Sequence, residues 1–136
     1  MEKIWDPLRR KEVALTPEEQ VRNWFIGVLR DNAGVPLHMM GSEVPLEFGQ
    51  KKYRADLVVY DRALRPLAVV ECKRPEVELS AEVLRQTLRY NAVLDVPFVF
   101  VTNGKNTYLY ARTGDTNPFE ALRELPKYEE MLLCRQ

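Results

Sequence analysis

Apolar positions along the chain follow two rhythms, one near 3.6 residues and one of two, and the changes between them mark the elements. Val21, Trp24, Phe25, Val28 and Leu29 recur at helical spacing behind Thr16-Pro17-Glu18-Glu19. Thr16 suits an N-cap, Pro17 the first helical position, and Glu19 stands three after the cap, completing a capping box. Asn32-Ala33-Gly34 closes that helix. Residues 43–48 carry a weaker strand signal in which Pro45 points to an edge position, and Gly49-Gln50-Lys51-Lys52 reads as a turn. Two apolar strands follow at 57–60 and 67–70, joined by a polar turn. Ser80 caps a helix from about 81 to 94, with Val83, Leu84, Thr87, Leu88 and Ala92 on its apolar face. The run 96–101 is wholly apolar, which suits a strand covered on both faces. Thr102-Asn103-Gly104-Lys105 then turns the chain into a strand at 107–111. Asn117-Pro118 is expected to open a short helix through Leu125, and 128–133 to form a closing one. Residues 1–15 show no period and read as a loosely packed lead-in anchored by Trp5 and Leu8.

This order predicts an α/β protein with a central mixed β-sheet flanked by helices on both faces. The 136 residues make one domain, with a core over about 14–112 and a helical tail over 113–136. No run approaches the ~20 apolar residues of a membrane span, and the charged start MEKIWDPLRRKEV lacks the apolar segment of a secretory signal. Two cysteines, Cys72 and Cys134, make no disulfide framework, so a cytoplasmic setting is expected. A single histidine, His38, removes Cys2His2 zinc sites and leaves His-based triads little to work with. The formal net charge of zero argues against a lysine-coated polyanion binder and leaves only a local basic surface.

Three charges interrupt the central hairpin where a core strand would have none. Asp56 precedes the first strand, and Glu71 and Lys73 close the second. Side chains alternate along a strand, so Glu71 and Lys73 share a face while Cys72 turns away as a core thiol. In a hairpin Asp56 lies beside Glu71, and two adjacent carboxylates call for a positive partner. Mg²⁺, with Mn²⁺ as a substitute, suits two carboxylates shared with phosphate oxygens. Glu18 shares a helical face with Val21, Phe25 and Leu29 and should point toward the sheet. A role at the site is favoured there over simple stabilisation of a helix N-terminus. Lys51, Lys52, Tyr53 and Arg54 form a basic and aromatic patch that is either a solvated turn or a phosphate-backbone contact. Gln86 and Tyr90 lie four apart on the second helix, beside Arg85 and Arg89, which also fits an ordinary amphipathic helix.

At Asp56, Glu71-Cys72-Lys73, Gln86 and Tyr90 the chain resembles the PD-(D/E)xK nuclease superfamily, with a Q-x3-Y helix like that of its RecB-like branches. Thr16-Pro-Glu-Glu19, Val21-Arg22, Arg54-Ala-Asp56 and Thr102-Asn-Gly104 are similar to the N-terminal nuclease domain of type I restriction enzyme R subunits. Ala55 stands where the motif has proline, and no GxxxxGK[ST] loop of a motor occurs. The resemblance implies a restriction-endonuclease-like fold and Mg²⁺-dependent cleavage of DNA. It implies Asp56 and Glu71 as metal ligands, with Glu18 assisting through water or as a further ligand. Lys73 would stabilise charge on the phosphate or position the attacking water, and Gln86 would orient the nucleophile. Lys51, Lys52, Arg54, Arg74, Arg85, Arg89 and Tyr90 would meet the nucleic acid. A motor or specificity subunit, or a second copy of the chain, stands open as a partner. The competing readings are a nuclease-like fold that binds without turnover, and a purely structural domain.

Overall fold

The computed structural model describes residues 1–113 and 119–135. The chain opens with a hairpin of β1 (Lys3–Asp6) and β2 (Lys11–Ala14), followed by α1 (Pro17–Ala33) and a 3₁₀ turn (Leu37–Met39). Then come β3 (Met40–Phe48), β4 (Lys51–Tyr60), β5 (Pro66–Cys72), α2 (Ala81–Ala92), β6 (Phe98–Thr102), β7 (Thr107–Arg112), β8 (Phe119–Leu122) and α3 (Tyr128–Leu133). β3 to β8 form a six-stranded sheet in sequence order. Its neighbours are antiparallel except β5 and β6, which run parallel with α2 as the crossover.

The sheet carries an apolar layer on each face. Val21, Phe25, Ile26 and Leu29 of α1 and Met131 of α3 pack with Leu57, Val59, Val70, Phe98 and Phe100. On the opposite face Val83, Leu84 and Leu88 of α2 cover Val58, Val69, Val99 and Val101. β6 feeds both layers, so its run has no polar position, as the unbroken apolar pattern predicts. β3 lies at the sheet edge, where Pro45 lacks no ladder partner a central strand would need.

The structure departs from the pattern in several places. Residues 1–15 are a paired hairpin, its turn held by Asp6, whose Oδ1 accepts the Leu8 and Arg9 N–H groups at 2.8 and 3.1 Å. Leu8 packs against the core as expected, while Trp5 and Trp24 are about half exposed, at 52% and 47%; Arg22 and Ile26 take the inward positions of α1. Only half of the capping box forms. Thr16 accepts the Glu19 N–H at 3.1 Å, while the Glu19 carboxylate turns to Arg9 and Arg22. β4 begins at Lys51, so Lys51 and Lys52 belong to a strand and the turn is only Gly49-Gln50. Asn117-Pro118 lies outside the described residues, and the rest of the expected helix there is strand β8. The free edge of β7 offers backbone partners to 119–122, and Phe119 lies under the Arg112 guanidinium, 4.9 Å from its ring centre. Asn103 anchors the β6–β7 turn by accepting the Lys105 and Asn106 N–H groups at 2.9 and 2.7 Å, with Gly104 at φ 86°.

The β4–β5 turn is built on Asp61, 3% exposed, whose Oδ1 accepts the Ala63 and Arg65 N–H groups, each at 2.9 Å. Burial pushes its carboxyl up, but these bonds and the charges of Arg65 and Arg135 outweigh it and hold the group below its ordinary range. A depressed folded pKa gives stability that is complete above the unfolded value of about 3.9 and is lost as pH falls through the folded one. The urea midpoint of wild type should therefore approach that of Asp61→Asn as pH drops from about 4 toward about 2; a gap constant over that interval would contradict the assignment. Leu29→Ala, at a fully buried position, should cost ~2–5 kcal/mol in urea unfolding, whereas Trp24→Ala should cost under ~1 kcal/mol.

Candidate active site

The site begins with an irregularity in β4. On a regular strand Tyr53, Ala55, Leu57 and Val59 would share one face. Here Tyr53 and Ala55 pack on the α2 side, while Leu57 and Val59 pack on the α1 side. The sheet changes face at Asp56. Its neighbour on β3 is Glu43, at φ 54°, flanked by the pairs Ser42↔Leu57 and Val44↔Ala55. A left-handed backbone costs a non-glycine residue roughly 1–2 kcal/mol. Glu43 offsets it by accepting from Arg22 Nη2 at 2.6 Å and Arg54 Nη1 at 3.1 Å.

Asp56 is held from two sides. Its Oδ2 accepts the Cys72 N–H at 2.7 Å, and its Oδ1 accepts from Arg22 Nη2 at 3.3 Å. The paired register of β4 with β5 ends at Leu57↔Val70, so Asp56 and Glu71 each lie one residue beyond the last pair of the ribbon. Lys73 Nζ lies 3.3 Å from Glu71 Oε2, and the Lys73 N–H donates to the Thr102 carbonyl at 2.8 Å, which fixes the strand end beside β6. Glu71 and Lys73 open into a groove of about 490 Å³ between β5 and α2, lined also by Val77, Val83, Gln86, Thr87 and Tyr90. Gln86 thus shares a groove with the Glu-x-Lys pair, whereas Asp56, on the neighbouring strand β4, is not among the residues that line it.

Glu18 is exposed at the first turn of α1, so the inward orientation expected for it is not found. It lines a depression with Thr16, Pro17 and Arg74. It remains at the same end of the molecule. Burial first, then the fields of Asp56, Glu71 and Glu18, push the Cys72 thiol well up, with Arg22 acting in the opposite sense. Three carboxylates therefore act on the one buried thiol behind the ribbon.

A second concavity of about 420 Å³, lined by Lys51, Lys52, Tyr53, Arg89, Tyr90 and Val93, meets the first at Tyr90. Tyr90 stands edge-on against Tyr53, with ring centres 4.9 Å apart. Arg54 pairs with Glu43 at its exposed rim, Arg74 pairs with Glu76 at 3.2 Å, and Arg85 is exposed on α2.

The oxygen donors of Asp56 and Glu71 suit a hard divalent cation shared with water and phosphate. They do not form a closed protein cage, since among the described residues no group of three or more His, Cys, Asp or Glu is arranged to hold an ion. The residues that sequence reasoning missed are Arg22, Glu19 and Glu43. Arg22 is 3% exposed, with its side chain among three carboxylates. One signal was available: Arg22 stands three, four and seven residues before Phe25, Ile26 and Leu29, on the buried stripe itself. Nothing local marks Glu43, because its contacts come from 21 and 11 residues away.

The family model of the type I restriction enzyme R protein N terminus matches residues 17–126, which includes the groove, the ribbon and α1. The chain belongs to this family. Its similarity to an endonuclease subunit of the Escherichia coli type I restriction enzyme EcoAI is 46% identity over 50 residues, 37% of this chain and 6% of that subunit. Its fold resembles a fragment of a candidate R subunit of a type I restriction enzyme from Vibrio vulnificus (TM-score 0.61, 20% identity, 87% of this chain and 25% of that one). It also resembles a candidate nuclease of the DUF820 group from Anabaena variabilis (TM-score 0.52, 10% identity, 91% and 84% of the two chains). The chain thus spans a small part of the type I subunits it matches. Its mixed sheet with helices on both faces is a restriction-endonuclease-like fold.

The thiol environment is directly measurable. Native protein should react with a thiol reagent such as DTNB at one cysteine, the exposed Cys134, and at both only after unfolding. Rapid native labelling of Cys72 would show that the ribbon is open to solvent.

Proposed function

We propose that this domain is a Mg²⁺-dependent nuclease that hydrolyses DNA phosphodiester bonds. The carrying observation is that Glu71, Lys73 and Gln86 share one groove, with Asp56 on the neighbouring strand β4. Asp56 and Glu71 would hold the ion, with Glu18 contributing through water. When bound, the ion supplies a polarised phosphate and an attacking water of lowered pKa. Lys73 offers its ammonium to the charge that develops on the phosphate, and its pairing with Glu71 keeps it aimed into the groove. Gln86 orients the nucleophile side. Tyr90 joins this groove to Lys51, Lys52 and Arg89, giving the phosphate backbone a basic path away from the chemistry. Arg54, Arg74 and Arg85 add contacts at the rim.

Binding without turnover is the second reading. It is favoured by Arg22, which already neutralises one oxygen of Asp56, and by the lack of an assembled three-acid cage among the described residues. Membership of an R-subunit family supports action alongside motor or specificity subunits, and a second copy of this chain is an alternative partner. Two free cysteines, one buried, fit a cytoplasmic setting. Among the described residues no helix is long and apolar enough to cross a membrane.

Asp56→Ala and Lys73→Ala should each lower Mg²⁺-dependent cleavage of DNA by at least ~10²–10³-fold, as loss of one transition-state contact does elsewhere, with the melting temperature of Lys73→Ala near wild type. Unchanged cleavage in both would falsify the catalytic reading, and DNA binding without cleavage by wild type would favour the second one. With four to six phosphate contacts, log affinity should fall against log salt with a slope of ~−4 to −5; a slope near zero removes DNA as the ligand.

A further inference from the structure

We infer that Arg22 is a built-in cation of this site: it positions Asp56 and takes the place of a second divalent ion, so the site accepts one. The inference rests on the metal reading above and adds to it the ion count and the residue that sets it. Arg22 rises from α1 with its side chain 4% exposed. Its guanidinium meets Glu19 closely through Nη1, Glu43 Oε1 at 2.6 Å and Asp56 Oδ1 at 3.3 Å through Nη2. Its Nε is buried without a partner. The group is therefore placed for the carboxylates reached by its two terminal nitrogens, at the expense of its own third donor direction.

The two oxygens of Asp56 have different duties. Oδ2 is tied to the β5 backbone through the Cys72 N–H, and Oδ1 is the oxygen that Arg22 takes. In two-metal sites the ions stand about 3.5–4 Å apart, and Asp56 is the carboxylate they would share here. A Mg²⁺ on Oδ1 would sit at ~2.0–2.1 Å from that oxygen, pressed against a guanidinium nitrogen bonded to the same atom. Like charges at that separation exclude each other in a partly buried site. On the metal reading above, the one remaining ion would lie toward Glu71. The Arg22 guanidinium is charged at any working pH, as arginine always is in proteins. Arg9, bonded to Glu19 at 2.7 Å, and Arg54, bonded to Glu43, compensate the outer acids and leave Arg22 as the cation nearest Asp56.

The test counts Mn²⁺ bound to the metal-free chain without DNA, by calorimetry and electron paramagnetic resonance. Wild type should bind one ion. Arg22→Gln, which frees Glu19, Glu43 and Asp56 around a vacated charge, should bind two. Arg22→Lys, which keeps the charge, should bind one. Glu71→Gln should remove the wild-type ion without removing the one gained by Arg22→Gln. Two ions on wild type, or equal counts on wild type and Arg22→Gln, overturn the inference. No ion on wild type but one on Arg22→Gln sinks the Asp56–Glu71 metal of the proposed function while supporting the place assigned to Arg22. Circular dichroism checks each variant; should Arg22→Gln lose the fold, the wild-type count decides, one supporting the inference, two overturning it, and none overturning the Asp56–Glu71 metal on which it rests.

Discussion

The structure turns on one carboxylate caught between a helix and a strand. Asp56 receives an arginine from α1 on one oxygen and a backbone N–H from β5 on the other. A carboxylate placed there without partners would be expelled or neutralised, because transfer out of water is costly unless charge and hydrogen bonds replace the lost hydration. Arg22 faces the same problem from the other side, being almost wholly buried. Each solves the other's desolvation. The network of Glu19, Glu43, Asp56 and Arg22 is thus the joint between α1 and the sheet. Truncating Arg22 would expose three acids to each other, while truncating one acid would leave a buried cation less well compensated.

The same joint explains the shape of the sheet. The face switch at Asp56 lets one end of β3 and β4 pack under α2 and the other end under α1. Without that switch Asp56 would point either into a fully apolar layer or away from the ribbon that carries Glu71. The left-handed backbone at Glu43 is the local cost of the switch, offset by two arginines. The groove is lined by Val77 of the β5–α2 connection and by Val83, Gln86 and Tyr90 of α2. Glu71 and Lys73 lie at the end of β5, and Lys51, Lys52 and Arg89 line the concavity that shares Tyr90 with their groove.

Family and geometry speak to different levels of the same molecule. Membership comes from a match over 17–126, and the solved relatives show the fold at 20% and 10% identity. Neither reaches to the ion or the reaction. The proposed ion and reaction rest on the groove shared by Glu71, Lys73 and Gln86, and the buried arginine adds a feature that a motif read as Asp…Glu-x-Lys does not contain. A site with an internal cation needs less external charge to neutralise its acids, which bears on how tightly it would hold any ion.

Much of this was legible in the linear chain. The caps at Thr16 and Ser80, the apolar run of β6, the Asn-Gly turn and the central ribbon all depend on contacts within a few residues, so local pattern was enough. Strand parity alone set Glu71 and Lys73 on one face and turned Cys72 into the core. Other features needed the folded chain. Strand β8 forms because β7 leaves an edge unpaired, which no window around Phe119 reveals. Trp24 faces water and Arg22 faces inward because charge awaited the arginine, against the ranking by hydrophobicity. The positive φ of Glu43 and the change of face at Asp56 arise from fitting two helices to one twisted sheet. Residue type and spacing determine which groups have the chemistry; only three-dimensional packing decides which of them meet, because buried charges settle where distant partners can compensate them.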